Sequence, residues 1–168
     1  MTNFTGREFR DALATFATGV TIVTARDGEG VPVGMTASSF SSVSMEPPLI
    51  LWSAAKTALS AKAFHDAQHF AVHVLSAEQA DLSNRFAKTG TDKFTGLDWS
   101  GDTHDVPKLS QALARFECTQ WALYEGGDHW IIVGEVTAFE KADGKGLIHV
   151  GGGYASASAL KPPTREAA

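Results

Sequence analysis

Apolar positions along this chain recur with two periods, one helical and one alternating. Phe9, Leu13 and Phe16, with Ala12 and Ala17 beside them, follow a helical spacing, and Gly19 stands just past the last turn. That pattern predicts an amphipathic first helix. Val20-Thr21-Ile22-Val23-Thr24 then reads as a β-branched strand, Asp27-Gly28-Glu29-Gly30 as a hairpin turn, and Val31 and Val33 as the start of the return strand. Residues 34–53 read as two strands joined by a tight loop at Met45-Glu46-Pro47-Pro48. The first is small and hydroxyl-rich, and the second ends in the apolar run Leu49-Ile50-Leu51-Trp52. A strand built only for a core favours branched and aromatic side chains. Small hydroxylated ones leave room for a ligand against the backbone and offer short donors and acceptors. A ligand is therefore expected against Thr36, Ala37, Ser38 and Ser39, with a serine-rich edge facing water as the alternative.

Residues 57–67 are helix-like, with Leu59, Ala63 and Phe64 on one side, and residues 70–75 alternate as a strand. A second helix over 78–87 pairs Leu82 with Phe86 at i, i+4. Residues 88–107 are polar and aperiodic, a length that suggests a functional loop or lid. A helical turn at 110–114 precedes strands at 115–124, 130–139 and 147–150, separated by turns at Gly126-Gly127 and at 141–146. Strands outnumber helices and no β-α alternation is present. The fold class expected is mainly β, an antiparallel barrel with peripheral helices rather than a doubly wound sheet. Residues 1–160 read as a single domain and 161–168, polar with two prolines, as a flexible tail.

Composition narrows the functional classes. No apolar run approaches the ~20 residues that cross a bilayer. The N-terminus mixes charge and aromatic residues without a signal-peptide pattern, so a cytoplasmic protein with no membrane partner is expected. Cys118 is the lone cysteine, which excludes an intrachain disulfide and a cysteine-rich metal site, and it reads as a small core residue. The net charge is −5 with Lys and Arg scattered, which argues against nucleic acid as the main partner. Gly28, Gly30 and Gly34 miss the dinucleotide-binding spacing, and no helix follows them.

Few motifs carry chemistry unaided. His65, His69 and His73 lie four apart, but the helix ends near Gln68 and His73 belongs to the next strand, so a shared ligand face is lost and no metal site is expected. No Gly-x-Ser-x-Gly elbow occurs. Gly126-Gly127-Asp128-His129 is more informative. His129 is held between a Gly-Gly turn and a strong strand, and Asp128 can bias its orientation or protonation. Its ring either caps the hairpin or reaches a ligand.

Taken in order, Phe16-Ala17-Thr18-Gly19-Val20-Thr21, Gly34-Met35-Thr36-Ala37-Ser38-Ser39-Phe40, Leu82-Ser83-Asn84-Arg85-Phe86-Ala87, Gly127-Asp128-His129 and Gly134-Glu135-Val136 resemble the flavin reductase family with an FMN-binding split barrel. These are NAD(P)H-dependent enzymes that supply reduced flavin to two-component monooxygenases. The resemblance implies that Thr36, Ala37, Ser38 and Ser39 line the isoalloxazine, largely through backbone groups. It implies further that Ser53, Lys56 and Ser60 lie at the flavin phosphate, and that Arg85 and Phe86 border the ribityl chain and phosphate. His129 matches the histidine that helps hold the nicotinamide, and Tyr154 falls near a closing Gly-x-Tyr. The same resemblance implies FMN or FAD as flavin, NADH or NADPH as co-substrate, a homodimer, and an oxygenase partner that receives the reduced flavin. Gly153 stands where many relatives carry a basic residue and Ala155 where histidine is frequent, so the nucleotide choice stays open. The alternatives are a split-barrel flavoprotein that retains FMN and reduces another acceptor, a non-catalytic flavin or haem module, and a structural β-domain.

Overall fold

The computed structural model describes residues 3–90 and 92–158. The tail expected at 161–168 lies outside the described residues. A seven-stranded antiparallel sheet forms the body, built from β2 (Thr21–Arg26), β3 (Pro32–Ala37), β4 (Ser41–Met45), β5 (Pro48–Ala55), β6 (His69–Val74), β9 (Ala114–Gly126) and β10 (His129–Lys141). Its spatial order is β3-β2-β6-β9-β10-β5-β4. The end strands β3 and β4 share no ladder, which leaves the barrel split. Three small strands, β1 (Thr18–Gly19), β11 (Leu147–Val150) and β12 (Gly153–Ser156), make a second sheet, and β7 (Trp99–Gly101) pairs with β8 (Pro107–Leu109). The helices α1 (Gly6–Leu13), α2 (Ala61–Asp66) and α3 (Ala80–Ala87) are peripheral.

Burial follows the strand period of two. Val23 and Ala25 of β2 point into a core with Trp52, Phe64, Phe70, Val72, Cys118 and Ile132. Val20 and Ile22 join a second cluster with Leu75, Phe86, Phe94, Leu109 and Leu147. Because β2 is covered on both faces, its sequence is nearly continuous in buried residues rather than alternating. Cys118 sits in the first core as expected, and burial pushes its thiol up to about 12.

Several sequence expectations need correction. The first helix ends at Leu13, capped by a reciprocal box in which Thr5 Oγ1 accepts from Glu8 N and Glu8 Oε2 accepts from Thr5 N. It contributes no buried residue, and Phe9, Leu13 and Phe16 are exposed. Among the described residues its apolar stripe is left largely uncovered, with Phe9 meeting only the exposed Phe4 ring at 5.5 Å between centroids. Residues 34–53 contain parts of three strands rather than two, because the chain breaks between Ala37 and Ser41, before β4. The expected helix at 57–67 begins only at Ala61, and residues 110–114 form a turn with Gln111 at φ 67° rather than a helical turn. The aperiodic stretch 88–107 contains the short β7 and the start of β8, and Gly151 and Gly152 turn the chain back into an additional strand, β12.

Candidate functional site

The site begins where β3 runs out. The hydroxyl of Thr36 donates to the Ser83 carbonyl at 2.6 Å and so ties β3 to α3. Ala37 is buried, and its carbonyl accepts from Thr21 Oγ1 at 2.8 Å. Ser38 and Ser39 are exposed. Ser39 Oγ accepts from Ser53 N at 2.8 Å and lies 3.2 Å from Ser53 O, to which it donates. This one side chain mimics a strand partner, and it brings the end of β3 against β5 across the split in the barrel.

A groove of about 380 Å³ runs beside β3. Its walls are β3 from Pro32 to Thr36, Ser60 just before α2, Phe86 and Ala87 of α3, and, beyond that helix, Lys88 to Gly90 and Asp92 to Phe94. Phe86 is fully buried and meets Phe94 edge to face at 5.2 Å between centroids. A Cβ at position 34 would collide with the Phe86 ring, so Gly34 permits α3 to sit this close to the strand. Lys93, half-buried, donates to the carbonyls of Gly34 at 3.0 Å and Phe86 at 2.7 Å and locks the loop to both walls. Desolvation pulls its ammonium pKa below the ordinary lysine value. The neighbouring Asp92 carboxylate is spent on its own turn, accepting from Phe94 N at 2.9 Å, Thr95 N at 3.1 Å and the Thr95 hydroxyl.

His129 starts β10 opposite Ala55, two register positions from the Ile131–Ser53 pair. Directly opposed residues project to the same face, so His129 and Ser53 share one sheet face about 7 Å apart along the strands. His129 Nδ1 lies 2.7 Å from Asp128 Oδ1, and that hydrogen bond holds the Asp128 carboxyl below its usual range. Lys56 is engaged elsewhere. Its ammonium lies 4.3 Å from the Trp130 ring centroid and 3.6 Å from Glu125 Oε1.

The structure thus gathers Thr36, Ser60 and Phe86 into one groove, joins Ser39 to Ser53, and places His129 on the face of Ser53. It does not bring Lys56, Arg85 or Tyr154 into the groove lining. Arg85 donates to the Thr95 carbonyl and borders the neighbouring clefts, while the Tyr154 hydroxyl lies 2.8 Å from Ser83 Oγ and donates to Asn84 Oδ1 at 3.1 Å. Lys93, Ser83 and Asn84 were not among the residues picked from sequence. The signal for the last two was their place inside Leu82-Ser83-Asn84-Arg85-Phe86-Ala87, and for Lys93 its place between Asp92 and Phe94 in an aperiodic loop. His73, which the sequence places in the strand after the helix, is fully buried, with Nδ1 3.1 Å from the Ile22 carbonyl and Nε2 accepting from Leu109 N at 3.1 Å. Among the described residues no three His, Cys, Asp or Glu side chains converge as metal ligands, and no helix is long and apolar enough to cross a membrane.

Comparison with known proteins addresses the same arrangement. The chain is 51% identical over 148 residues to FMN reductase (NADH) SmoA of Agrobacterium fabrum, covering 88% of this chain and 84% of that protein. It is 43% identical to the reductase component of the flavin-dependent trigonelline monooxygenase of Acinetobacter baylyi, covering 88% of this chain but only 48% of that longer protein. The solved structure of the Streptomyces globisporus NADH:FAD oxidoreductase SgcE6 in complex with NAD and FAD fragments superposes with a TM-score of 0.83 at 35% identity, covering 95% and 94% of the two chains. The family model described as flavin reductase like domain matches residues 13–158, a span that holds every strand of the split barrel, the groove and His129, and the chain belongs to that family.

Proposed function

We propose that this protein is a flavin reductase that takes a hydride from NADH or NADPH, passes it to FMN or FAD, and delivers the reduced flavin to a partner oxygenase. NADH is the nucleotide in the names of two of the relatives above. The observation that carries the reading is the placement of His129 on the sheet face of Ser53, whose backbone N–H is held by Ser39 at the hydroxyl-rich end of β3. The donor set fits a flavin. It offers backbone edges and small hydroxyl residues for a flat polar ring, an apolar wall at Phe86, and an ammonium at Lys93 for an anion. Bound flavin supplies the ring system that accepts the hydride, and no general base is required of the protein.

The chain's own residues bind and orient. Ser38 and Ser39 present their backbone at the open seam, with Ser39 immobilised by Ser53. His129 is a positioning group for the nicotinamide. Asp128 holds the ring through Nδ1, which leaves Nε2 as the ring nitrogen available to a ligand. Holding two rings in stacking contact at about 3–3.5 Å accounts for much of the achievable rate gain.

Two further readings accompany this one. The protein works as a homodimer, because α1 is a capped helix whose apolar stripe covers none of its own core. A helix this short depends on packing for its stability. The cytoplasm suits its single buried free thiol.

The test mixes purified protein with NADH or NADPH and free FMN or FAD while nucleotide oxidation is followed. Continuous turnover of added flavin is expected. Stoichiometric retention of FMN without turnover of added flavin points to the retained-flavin alternative, and failure to bind any flavin sinks the assignment.

A further inference from the structure

Lys56 stands just past the end of β5 and reaches across two strands. Its backbone N–H donates to the Asp128 carbonyl at 2.9 Å and so ties β5 to the turn that carries His129. Its ammonium lies 4.3 Å from the centroid of the Trp130 ring and 3.6 Å from Glu125 Oε1. Trp130 and Glu125 are opposite one another in the β9–β10 hairpin, and Trp130 is opposite Ala54 of β5. The Lys56 side chain therefore runs over β10 to β9 and clamps the turn end of the hairpin to β5. An exposed ion pair alone contributes little, but a cation over an indole face adds to it, and the Lys56 side chain is only 29% exposed. The Trp130 ring is itself steadied by His65, 4.8 Å away between centroids. His129 precedes Trp130 and projects to the opposite face of the sheet. Asp128 joins the two sides, since its carbonyl takes the Lys56 N–H and its carboxylate lies 2.7 Å from His129 Nδ1. His129 chiefly, and Lys56 to a smaller degree, hold that carboxyl below its usual range.

We propose that Lys56 is a positioning residue for the nicotinamide, acting through His129 by clamping the 125–129 turn to β5, and that it does not serve the flavin phosphate. The inference rests on the flavin reductase reading and on the assignment of His129 within it. The family resemblance sets Lys56 at the phosphate, but its ammonium is engaged on Trp130 and Glu125 and lies outside the groove lining. The turn is built on Gly126 and Gly127, the latter at φ 71°, and glycine is the residue whose backbone is least restrained by its own side chain. Without the clamp His129 moves with them. Two rings stacked at about 3–3.5 Å tolerate little such motion, so loss of the clamp weakens the nucleotide and spares the flavin.

The test measures KM and kcat for whichever of NADH and NADPH the wild type oxidises, with FMN and riboflavin affinities read by flavin fluorescence and thermal unfolding followed alongside. Lys56→Met is expected to raise KM about fivefold while kcat and both flavin affinities stay within about twofold. Lys56→Arg should restore most of the loss, because a guanidinium also stacks on an indole and pairs with a carboxylate. Glu125→Gln, at a side chain 75% exposed where folding is not at stake, should move KM the same way by less. In a His129→Ala background Lys56→Met should add no further rise, because residues that act as a unit are not additive. Selective weakening of FMN over riboflavin in Lys56→Met overturns the proposal and returns Lys56 to the phosphate. An equal rise in KM with and without His129 overturns it too, as does a lowered melting temperature with unchanged KM, which leaves a structural clamp only. His129→Ala with the wild-type KM refutes the nicotinamide assignment and this proposal with it. Wild-type protein that oxidises neither nucleotide in the presence of flavin refutes the parent reading, so the failures are distinguishable.

Discussion

The Tyr154 hydroxyl and the Ser83 hydroxyl meet at 2.8 Å although 71 positions separate them in the chain. Ser83 is buried, and its own carbonyl receives the Thr36 hydroxyl at 2.6 Å. The contact thus continues a line of hydrogen bonds from β12 through α3 to β3, linking the C-terminal sheet to the wall of the groove. Tyr154→Phe keeps the ring and removes the bridge. A stability loss of about 1 kcal/mol is expected, together with weaker flavin binding caused by a loosened α3. Chemical denaturation and a flavin titration on the same variant check both effects, and unchanged flavin affinity would detach Tyr154 from the site.

His73 makes stability depend on pH. Its two hydrogen bonds need a neutral ring, since Nδ1–H donates to the Ile22 carbonyl and Nε2 accepts from Leu109 N–H. Burial depresses its pKa to about 4. In the unfolded chain the ring takes a proton near pH ~6.5, whereas the folded protein resists until about pH 4. Its contribution is therefore complete above pH ~6.5 and is lost as pH falls toward 4, by on the order of 3 kcal/mol in all. Urea unfolding at a series of pH values should show this slope, and His73→Gln should flatten it while lowering stability at neutral pH.

Gly34 is fixed by its neighbour across the groove wall. Gly34→Ala drives a Cβ into the Phe86 ring, and a loss of about 1–3 kcal/mol is expected from overpacking. Adding Phe86→Leu relieves the collision, so the double variant should recover stability relative to the sum of the two single changes. Strict additivity in a thermal or denaturant cycle would remove the proposed contact.

His129→Ala should raise the KM for NADH by about tenfold or more while flavin affinity changes little, because the residue is assigned to the nicotinamide. Asp128→Asn, which keeps the size but weakens the hold on Nδ1, should produce a smaller effect in the same direction. Steady-state kinetics with the nucleotide varied, beside a flavin titration, separates the two ligands. Equal losses for flavin and nucleotide would contradict the assignment.

The exposed stripe of α1 predicts the oligomeric state. Leu13→Glu with Phe9→Glu places charge on a face where Leu13 is 57% and Phe9 51% exposed in the single chain. Sedimentation should give a dimer for the wild type and a monomer for the double variant. Because neither side chain touches the core, the monomer should retain its β-sheet signature in circular dichroism.

Much of the fold was legible because local pattern and final environment agree. β2 is read from its β-branched run, and the β9–β10 hairpin from two long apolar stretches around Gly126 and Gly127. Gly127 adopts φ 71°, the conformation a tight turn demands. The first helix was legible as a helix but not as a surface, since periodicity reports that a face is apolar without saying what covers it. The histidines show the same limit. Four-residue spacing says nothing of His73 once it enters a strand buried on both sides, where its ring bonds to residues 51 and 36 positions away.

The sequence by itself determined the strand-rich antiparallel class, the small hydroxyl character of Thr36, Ser38 and Ser39, and the family, because these depend on residue type and order along the chain. Only the tertiary structure decided which of those groups face one another. It set Ser39 against Ser53 across the seam, His129 on the same sheet face, Lys56 over Trp130, and Lys93 at the groove. The physical reason is that a side chain's partners follow from strand order and register. The order β3-β2-β6-β9-β10-β5-β4 brings together segments far apart in sequence, so hydrogen bonds and charges there are allotted by geometry that no local window contains.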